Sequence, residues 1–256
     1  MKQILEHVTK KQLAILQLIY RFRFLNRHHI QKFLNHKSHT LITTYLKDLT
    51  DQKILNRIYT PTIGNINKPA IYYLAPKSKP ILTQAGFDSQ ILQRVYKEGL
   101  TSERFKTKWL FVADLHFRFQ EVAQRNKMEL QYLTETDLRN YAFVPLPRPD
   151  AYVVLNKKNV TKRYFVEILN SGDPYFAVLS KINKYLRYIE EGYWENHYIY
   201  DFPKILFIYP NQKIRKWLIR TLQERSEEEE IELPAYLGSR IRIERQGIDG
   251  HTWEAT

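Results

Sequence analysis

Apolar side chains in the first fifty residues recur at helical spacing. Leu13, Leu16, Ile19 and Tyr20 fall three to four positions apart, the period of one helix face. Thr9 and Gln12 stand just before them in the order of a capping box, where a hydroxyl and an amide satisfy orphan N–H groups. Asn26 is positioned to cap a second short helix with Ile30, Phe33 and Leu34 turned inward, and Asn35 and His36 break that pattern. Ser38 then caps a third helix, whose Ile42, Tyr45, Leu46 and Leu49 make one buried stripe. The pattern next changes to short extended runs. Leu55 to Tyr59 and Ala70 to Leu74 read as strands, and the Pro-, Gly- and Asn-rich stretch Thr60 to Pro69 reads as the tip of their hairpin. Three helices and a hairpin predict a winged helix-turn-helix domain over residues 1–80.

Pro76 to Pro80 punctuates the end of this unit, Ile81 to Gly86 allows one more helical turn, and residues 81–101 read as a linker. Ser102 caps a long helix reaching about Asn126, with Leu110, Ala113, Phe117 and Val122 on its core face. Strands are predicted at Met128 to Thr134, Ala151 to Leu155 and Arg163 to Leu169, the last two joined by a turn at Asn156 to Asn159. A helix from Asp173 to about Glu190, a strand at Ile205 to Tyr209, a helix from Asn211 through Glu224 and a final strand at Arg240 to Glu244 complete the series. Residues 102–256 therefore read as an α/β domain of order α-β-β-β-α-β with a mixed sheet. The run Glu227 to Glu230 reads as a solvated helix end.

Composition narrows the chemistry. Apolar content of 43% and charged content of 26% are ordinary for a globular chain. No apolar run has membrane-spanning length and the N-terminus lacks a signal-peptide core, so a soluble, cytoplasmic protein without a membrane partner is expected. Cysteine is absent, which excludes disulfides and the common Cys-based zinc sites but leaves carboxylate sites for Mg²⁺ or Mn²⁺. The net charge of +13 is unevenly spread: residues 1–80 hold 14 Lys+Arg and 3 Asp+Glu, or +11, leaving +2 for the rest. Such a field draws polyanions, and double-stranded DNA fits it because each neutralised phosphate releases counterions. Candidate DNA contacts are Lys37, His39, Thr40, Thr43, Thr44 and Lys47 on and beside the outward face of the third helix, with Arg57, Asn65, Asn67 and Lys68 in the wing. The competing reading is a packing or dimerisation module. No heptad repeat decides between a monomer and a homodimer.

The carboxylates of the C-terminal domain are the candidate chemistry. If the hairpin turns between Lys158 and Asn159, antiparallel partners sum to 317, and Asp150 and Glu167 become cross-strand neighbours with Cβ atoms about 5 Å apart. A slip of one residue would send them to opposite faces. Two carboxylates that close are easiest to tolerate around a cation. Glu135, just after the preceding strand, is placed to join them, so Glu135, Asp150 and Glu167 form a candidate site for Mg²⁺ or Mn²⁺. The other reading is two solvent-side carboxylates on a hairpin.

The series YLTETDLR, RPDAYVVL, RYFVEILNSGD and LSKINKYLRY resembles the replication-relaxation family of plasmids and other mobile elements, over roughly Thr9 to Tyr209. The resemblance implies a winged helix joined to a PD-(D/E)XK nuclease-like domain. It matches Pro149-Asp150 to the PD element, Glu167 to the acidic residue of (D/E)XK, and Glu135 to an acidic position in the preceding strand region. The motif lysine should be residue 169, where this chain has Leu169. Lys181 or Lys184 on the following helix could supply the cation instead, and Tyr185 lies where related nucleases sometimes place a helper. Three functions follow from these expectations. One is a DNA-binding accessory protein for replication or mobilisation, with replication or mobilisation proteins as partners. The second is a metal-dependent endonuclease or nickase using Asp150 and Glu167. The third is a winged-helix transcriptional regulator whose C-terminal domain is not catalytic.

Overall fold

A computed structural model describes residues 8–59, 69–142 and 144–256. Contacts divide the chain into two units, with the division between Asp114 and Leu115.

The first unit begins with α1 (Lys10–Phe22), β1 (Leu25–Asn26), α2 (Arg27–Phe33) and α3 (His39–Asp51). Each helix starts where its cap was expected. Thr9 and Gln12 form a reciprocal capping box, Asn26 accepts from the His29 N–H, and Ser38 accepts from the Leu41 N–H at 3.3 Å. Ile42, Leu46 and Leu49 are fully buried, and each such side chain contributes roughly 1.5–3 kcal/mol by leaving water. Strands β2 (Leu55–Ile58) and β3 (Ile71–Leu74) pair antiparallel, and β1 adds to the other edge of β3. This is the expected helix and hairpin order, with the two-residue β1 as an addition. Residues 60–68, the expected hairpin tip, lie outside the described residues, and with them Asn65, Asn67 and Lys68.

The segment 81–101, expected as a linker, is folded. It holds most of α4 (Ser78–Gln84), a 3-10 turn at Ile91–Arg94 and α5 (Val95–Glu98), and it buries Ile81, Leu82, Ile91, Leu92 and Val95. The apolar residues there are too closely spaced for a solvated connector.

The long helix α6 (Glu103–Asn126) starts after Ser102, whose hydroxyl accepts from the Phe105 N–H at 3.2 Å. Ala113 and Phe117 are buried as expected, whereas Leu110 and Val122 are only half-buried. The second unit continues with β4 (Glu129–Thr134), α7 (Glu135–Leu138), β5 (Ala151–Lys157), β6 (Val160–Ile168), α8 (Tyr175–Glu190), β7 (Lys204–Tyr209), α9 (Gln212–Glu229), β8 (Ala235–Ser239), α10 (Arg240–Gln246) and β9 (Trp253–Ala255). The six strands form one mixed sheet in sequential order, antiparallel through β4, β5 and β6, parallel through β6, β7 and β8, and antiparallel at β9. The order from α6 to β7 is the expected α-β-β-β-α-β, with α7 as an extra turn after β4.

Two expectations are corrected. Arg240 to Glu244 is helical, because the edge of β8 that it would have occupied is taken by β9 and an Arg240–Glu244 ion pair at i,i+4 supports a helix. Asp173 lies before α8, since its carboxylate accepts from the Asn170 N–H at 2.8 Å and Pro174 takes the N-cap.

The helices α8 and α9 cover the sheet face that carries Phe165, Glu167 and Leu169, with Ile205 and Phe207 on the next strand. Alternation puts these residues on one side.

Candidate functional site

In the first unit, α3 turns its stripe inward and leaves His39, Thr40, Thr43, Thr44 and Lys47 exposed, as the spacing predicts. The structure adds a chemical detail. The Thr43 hydroxyl donates to the His39 carbonyl at 3.0 Å, and the Thr44 hydroxyl donates to the Thr40 carbonyl at 3.1 Å. Both hydroxyl protons are therefore spent on the helix itself. Beside this face, His28, Lys32, His36 and Lys37 line an open concavity of ≈ 290 Å³. Burial, then the charge of Arg27 and the neighbouring His29 and His39, push the His28 pKa down. Arg57 is exposed on β2, with its guanidinium 5.4 Å from the Tyr59 ring centre.

In the second unit the hairpin register is the one that the turn position implies. Ala151 faces Val166 and Lys157 faces Val160, so partners sum to 317 along β5 and β6, and Asp150 and Glu167 each lie just beyond the Ala151–Val166 pair, at the same end of the hairpin. The Asp150 N–H donates to the Val166 carbonyl at 2.9 Å, so Asp150 and Ala151 both oppose Val166, as at a β-bulge. Both acidic residues are buried. Asp150 Oδ2 accepts from the Ile168 N–H at 2.8 Å. Glu167 Oε1 accepts from the Tyr185 hydroxyl at 2.6 Å, and Glu167 Oε2 accepts from the Lys181 ammonium.

Lys181 and Tyr185 are one turn apart on α8 and reach the same carboxylate. Leu169, at the position where the motif lysine was expected, packs with Val178 and Ile182 in the core beneath α8. The ammonium beside Glu167 comes from α8, the helix that covers the strand. Lys184 lies on the exposed side of α8 and makes no such contact. Burial pushes the Glu167 pKa up, Lys181 pulls it down, and Asp150 pushes it up again. Burial would lower the Lys181 pKa, but Glu167, Asp150 and Glu135 outweigh it and keep the side chain an ammonium. Burial and the Glu167 charge hold the Tyr185 phenol well above its ordinary value, so it stays a donor.

Glu135 comes to this edge through its backbone, whose N–H donates to the Asp150 carbonyl at 3.1 Å. Its carboxylate pairs with Arg139 at 2.8 Å, a partner one turn along that the sequence signals by i,i+4 spacing. Among the described residues no group of three or more His, Asp or Glu side chains is placed to hold a metal ion. The expected three-carboxylate set is therefore reduced to the pair Asp150 and Glu167. That pair still suits a hard divalent cation, because Mg²⁺ commonly takes one or two carboxylates and fills its shell with water and substrate phosphate. Two carboxylates against one ammonium also leave an excess negative charge.

No helix among the described residues is long and apolar enough to cross a membrane. No curated protein matches the chain in sequence. Among solved structures it is similar to the restriction endonuclease FokI bound to DNA, at 13% identity and a TM-score of 0.34 over 93% of this chain and 44% of that one. A second FokI structure matches at 12% identity and a TM-score of 0.30, over 90% of this chain and 41% of the other. The chain thus spans less than half the length of FokI. The replication-relaxation family model matches residues 16–201, from within α1 to beyond α8 and across Asp150, Glu167 and Lys181. With nearly three quarters of its length so matched, the chain belongs to the replication-relaxation family.

Proposed function

We propose that the protein binds double-stranded DNA through the exposed face of α3 and nicks DNA at Asp150, Glu167 and Lys181, in the replication or mobilisation of a plasmid or other mobile element. The observation that carries this reading is the Lys181 ammonium on Glu167 Oε2, which supplies from α8 the cation that residue 169 lacks. The +11 charge of residues 1–80 supports the DNA contact. The exposed Thr40, Thr43 and Thr44 methyl groups suit apolar contact with thymine methyls in the major groove.

Asp150 and Glu167 would hold a Mg²⁺ or Mn²⁺ ion, which supplies a Lewis acid and a water acidic enough to ionise near neutral pH. The chain's own residues set the rest. Tyr185 fixes the Glu167 carboxylate from one oxygen, and the Ile168 N–H fixes Asp150. Lys181 brings a fixed positive charge to where negative charge grows on the phosphate, which favours the transition state over the ground state. The outcome is the addition of water across one phosphodiester bond.

A second reading rests on a specific observation: both oxygens of Glu167 already accept hydrogen bonds. On that reading the domain is an accessory DNA- or partner-binding module that does not cut. Incubation of supercoiled plasmid with the protein in Mg²⁺, Mn²⁺ or EDTA, beside Asp150→Ala, separates the two. Metal-dependent conversion to open circles that falls at least a hundredfold in the variant supports nicking. DNA binding without conversion in either protein supports the accessory reading.

A further inference from the structure

The second unit carries a cavity that the carboxylate site does not use. It has a volume of ≈ 220 Å³ and is walled by rings, among them Tyr141, Tyr152, Trp194, Tyr198 and Tyr200, with Arg163 at its side. Trp194 and Tyr198 stack at 4.3 Å, and Phe165 meets Trp194 edge-on at 5.7 Å. Trp194 Nε1 donates to the Tyr200 carbonyl at 2.7 Å, which ties the loop after α8 into the wall. The Arg163 guanidinium lies 3.7 Å from the Tyr200 ring centre.

The polar groups converge on the same space. The Tyr152 pKa is pushed up to about 12 by burial, with Arg163 opposing and Tyr198 and Tyr141 adding to the rise. Tyr198 is raised by burial and by Tyr141. Tyr141, Tyr152, Tyr198 and Arg163 all line the cavity, which sets three phenols and a guanidinium around one small space. Tyr141 and Tyr200 remain 40% and 46% exposed, so the cavity opens to solvent. A neighbouring hollow of ≈ 250 Å³ shares Arg163 and adds Lys162, Lys204 and Asp201, a balance of three cationic side chains against one anionic.

We infer that this cavity takes one unpaired nucleobase of a DNA strand, with the adjoining phosphate in the basic hollow beside Arg163. The volume falls below the roughly 300–1,000 Å³ of drug-sized pockets and suits a single planar ring system. Aromatic faces accept any base by stacking, and a guanidinium adds to that contact. A free nucleotide offers the same chemistry, but the strand is the better source because Arg163 and Glu167 share β6. They are four residues, or about 13 Å, apart on one face of the sheet. The inference rests on the proposed DNA binding, and extends it from paired to unpaired DNA.

The test measures affinity for three duplexes of the same sequence: fully paired, with one bulged nucleotide, and with an abasic residue at the bulge. Deoxynucleoside monophosphate competes in a fourth arm. The bulged base should tighten binding roughly tenfold over the abasic bulge, which keeps the phosphate and the bend but removes the ring. Tyr200→Ala and Arg163→Gln, checked for unchanged melting, should erase that preference and leave the paired duplex bound as before. Tyr141→Ala, which removes another lining ring, should weaken it as well. Equal affinity for bulged and abasic DNA, or a preference that survives all three variants, overturns the inference while duplex binding stands. Competition by monophosphate at micromolar levels overturns the assignment to a strand. Loss of all three duplexes from the unmodified protein overturns the DNA reading itself.

Discussion

Glu98 and Glu167 are both buried glutamates, at 2% and 1% exposure, and each is held by side chains of its own unit. Glu98 accepts two hydrogen bonds from Arg23, at 2.9 and 3.0 Å, and a second guanidinium, Arg94, lies 3.3 Å away. Arg23 is further sandwiched by Phe105 and Trp109, at 4.5 and 5.1 Å from their ring centres. That group is one carboxylate against two fixed cations. Around Glu167 the balance is reversed, with two carboxylates against one ammonium and a neutral phenol. An over-neutralised buried acid pins structure and offers an incoming cation nothing. An under-neutralised one stores negative charge where a cation or a developing reaction can use it.

The comparison breaks most readily at Glu98. Glu98→Gln should cost roughly 3–5 kcal/mol in urea unfolding, because it takes the buried counter-charge from two partly buried guanidiniums, and should leave plasmid nicking by the folded fraction unchanged. Nicking lost at full stability would place Glu98 in the chemistry and dissolve the distinction.

Lys181→Met gives a smaller and pH-dependent effect. The Glu167 pKa is already raised above its ordinary 4.5, so its burial opposes folding increasingly as pH rises past that value. Lys181 offsets this cost. Its own pKa is raised above 10.5, so its contribution is complete below that pH and fades only above it. Without Lys181 the Glu167 cost is exposed. The stability gap between the variant and the parent should therefore be wider at pH 8 than at pH 5, by about 1–3 kcal/mol from urea midpoints. A gap independent of pH would mean that Lys181 does not compensate a charge.

The exposed charges of α3 sharpen the contrast from outside. Lys47→Ala should change stability by no more than about 0.5 kcal/mol, yet lower the salt dependence of DNA binding by about one unit of slope. An unchanged slope would remove Lys47 from the phosphate contacts.

Much of this was legible because it follows from local rules. Thr9, Asn26 and Ser38 cap the helices that their side chains allow. One turn at Lys158 and Asn159 sets the register of β5 on β6 and brings Asp150 and Glu167 to the same end of the hairpin. The source of the cation was narrowed to Lys181 or Lys184 but not chosen, since only the seating of α8 on the sheet turns one lysine inward and the other out. The last strands were missed for a tertiary reason. Gly238 is bare because a Cβ there would come within 2.5 Å of the Trp253 ring, and that ring belongs to the strand β9 that closes the sheet. Ile241 and Ile243 alternate like a strand, but their place was already filled. The aromatic cavity was hidden because Tyr141, Tyr152, Arg163 and Tyr198 come from four separate segments.

The lysine on α8 has a consequence for how the domain fails. In a motif written along one strand, carboxylate and cation rise and fall with that strand. Here the ammonium rides on another element, so the electrostatic balance at Glu167 records whether α8 is seated. Lifting the helix by a few ångströms would withdraw the ammonium and leave two like charges side by side without it. The helix and the site therefore fail as one switch, and heat or denaturant should silence the site before the sheet beneath it melts.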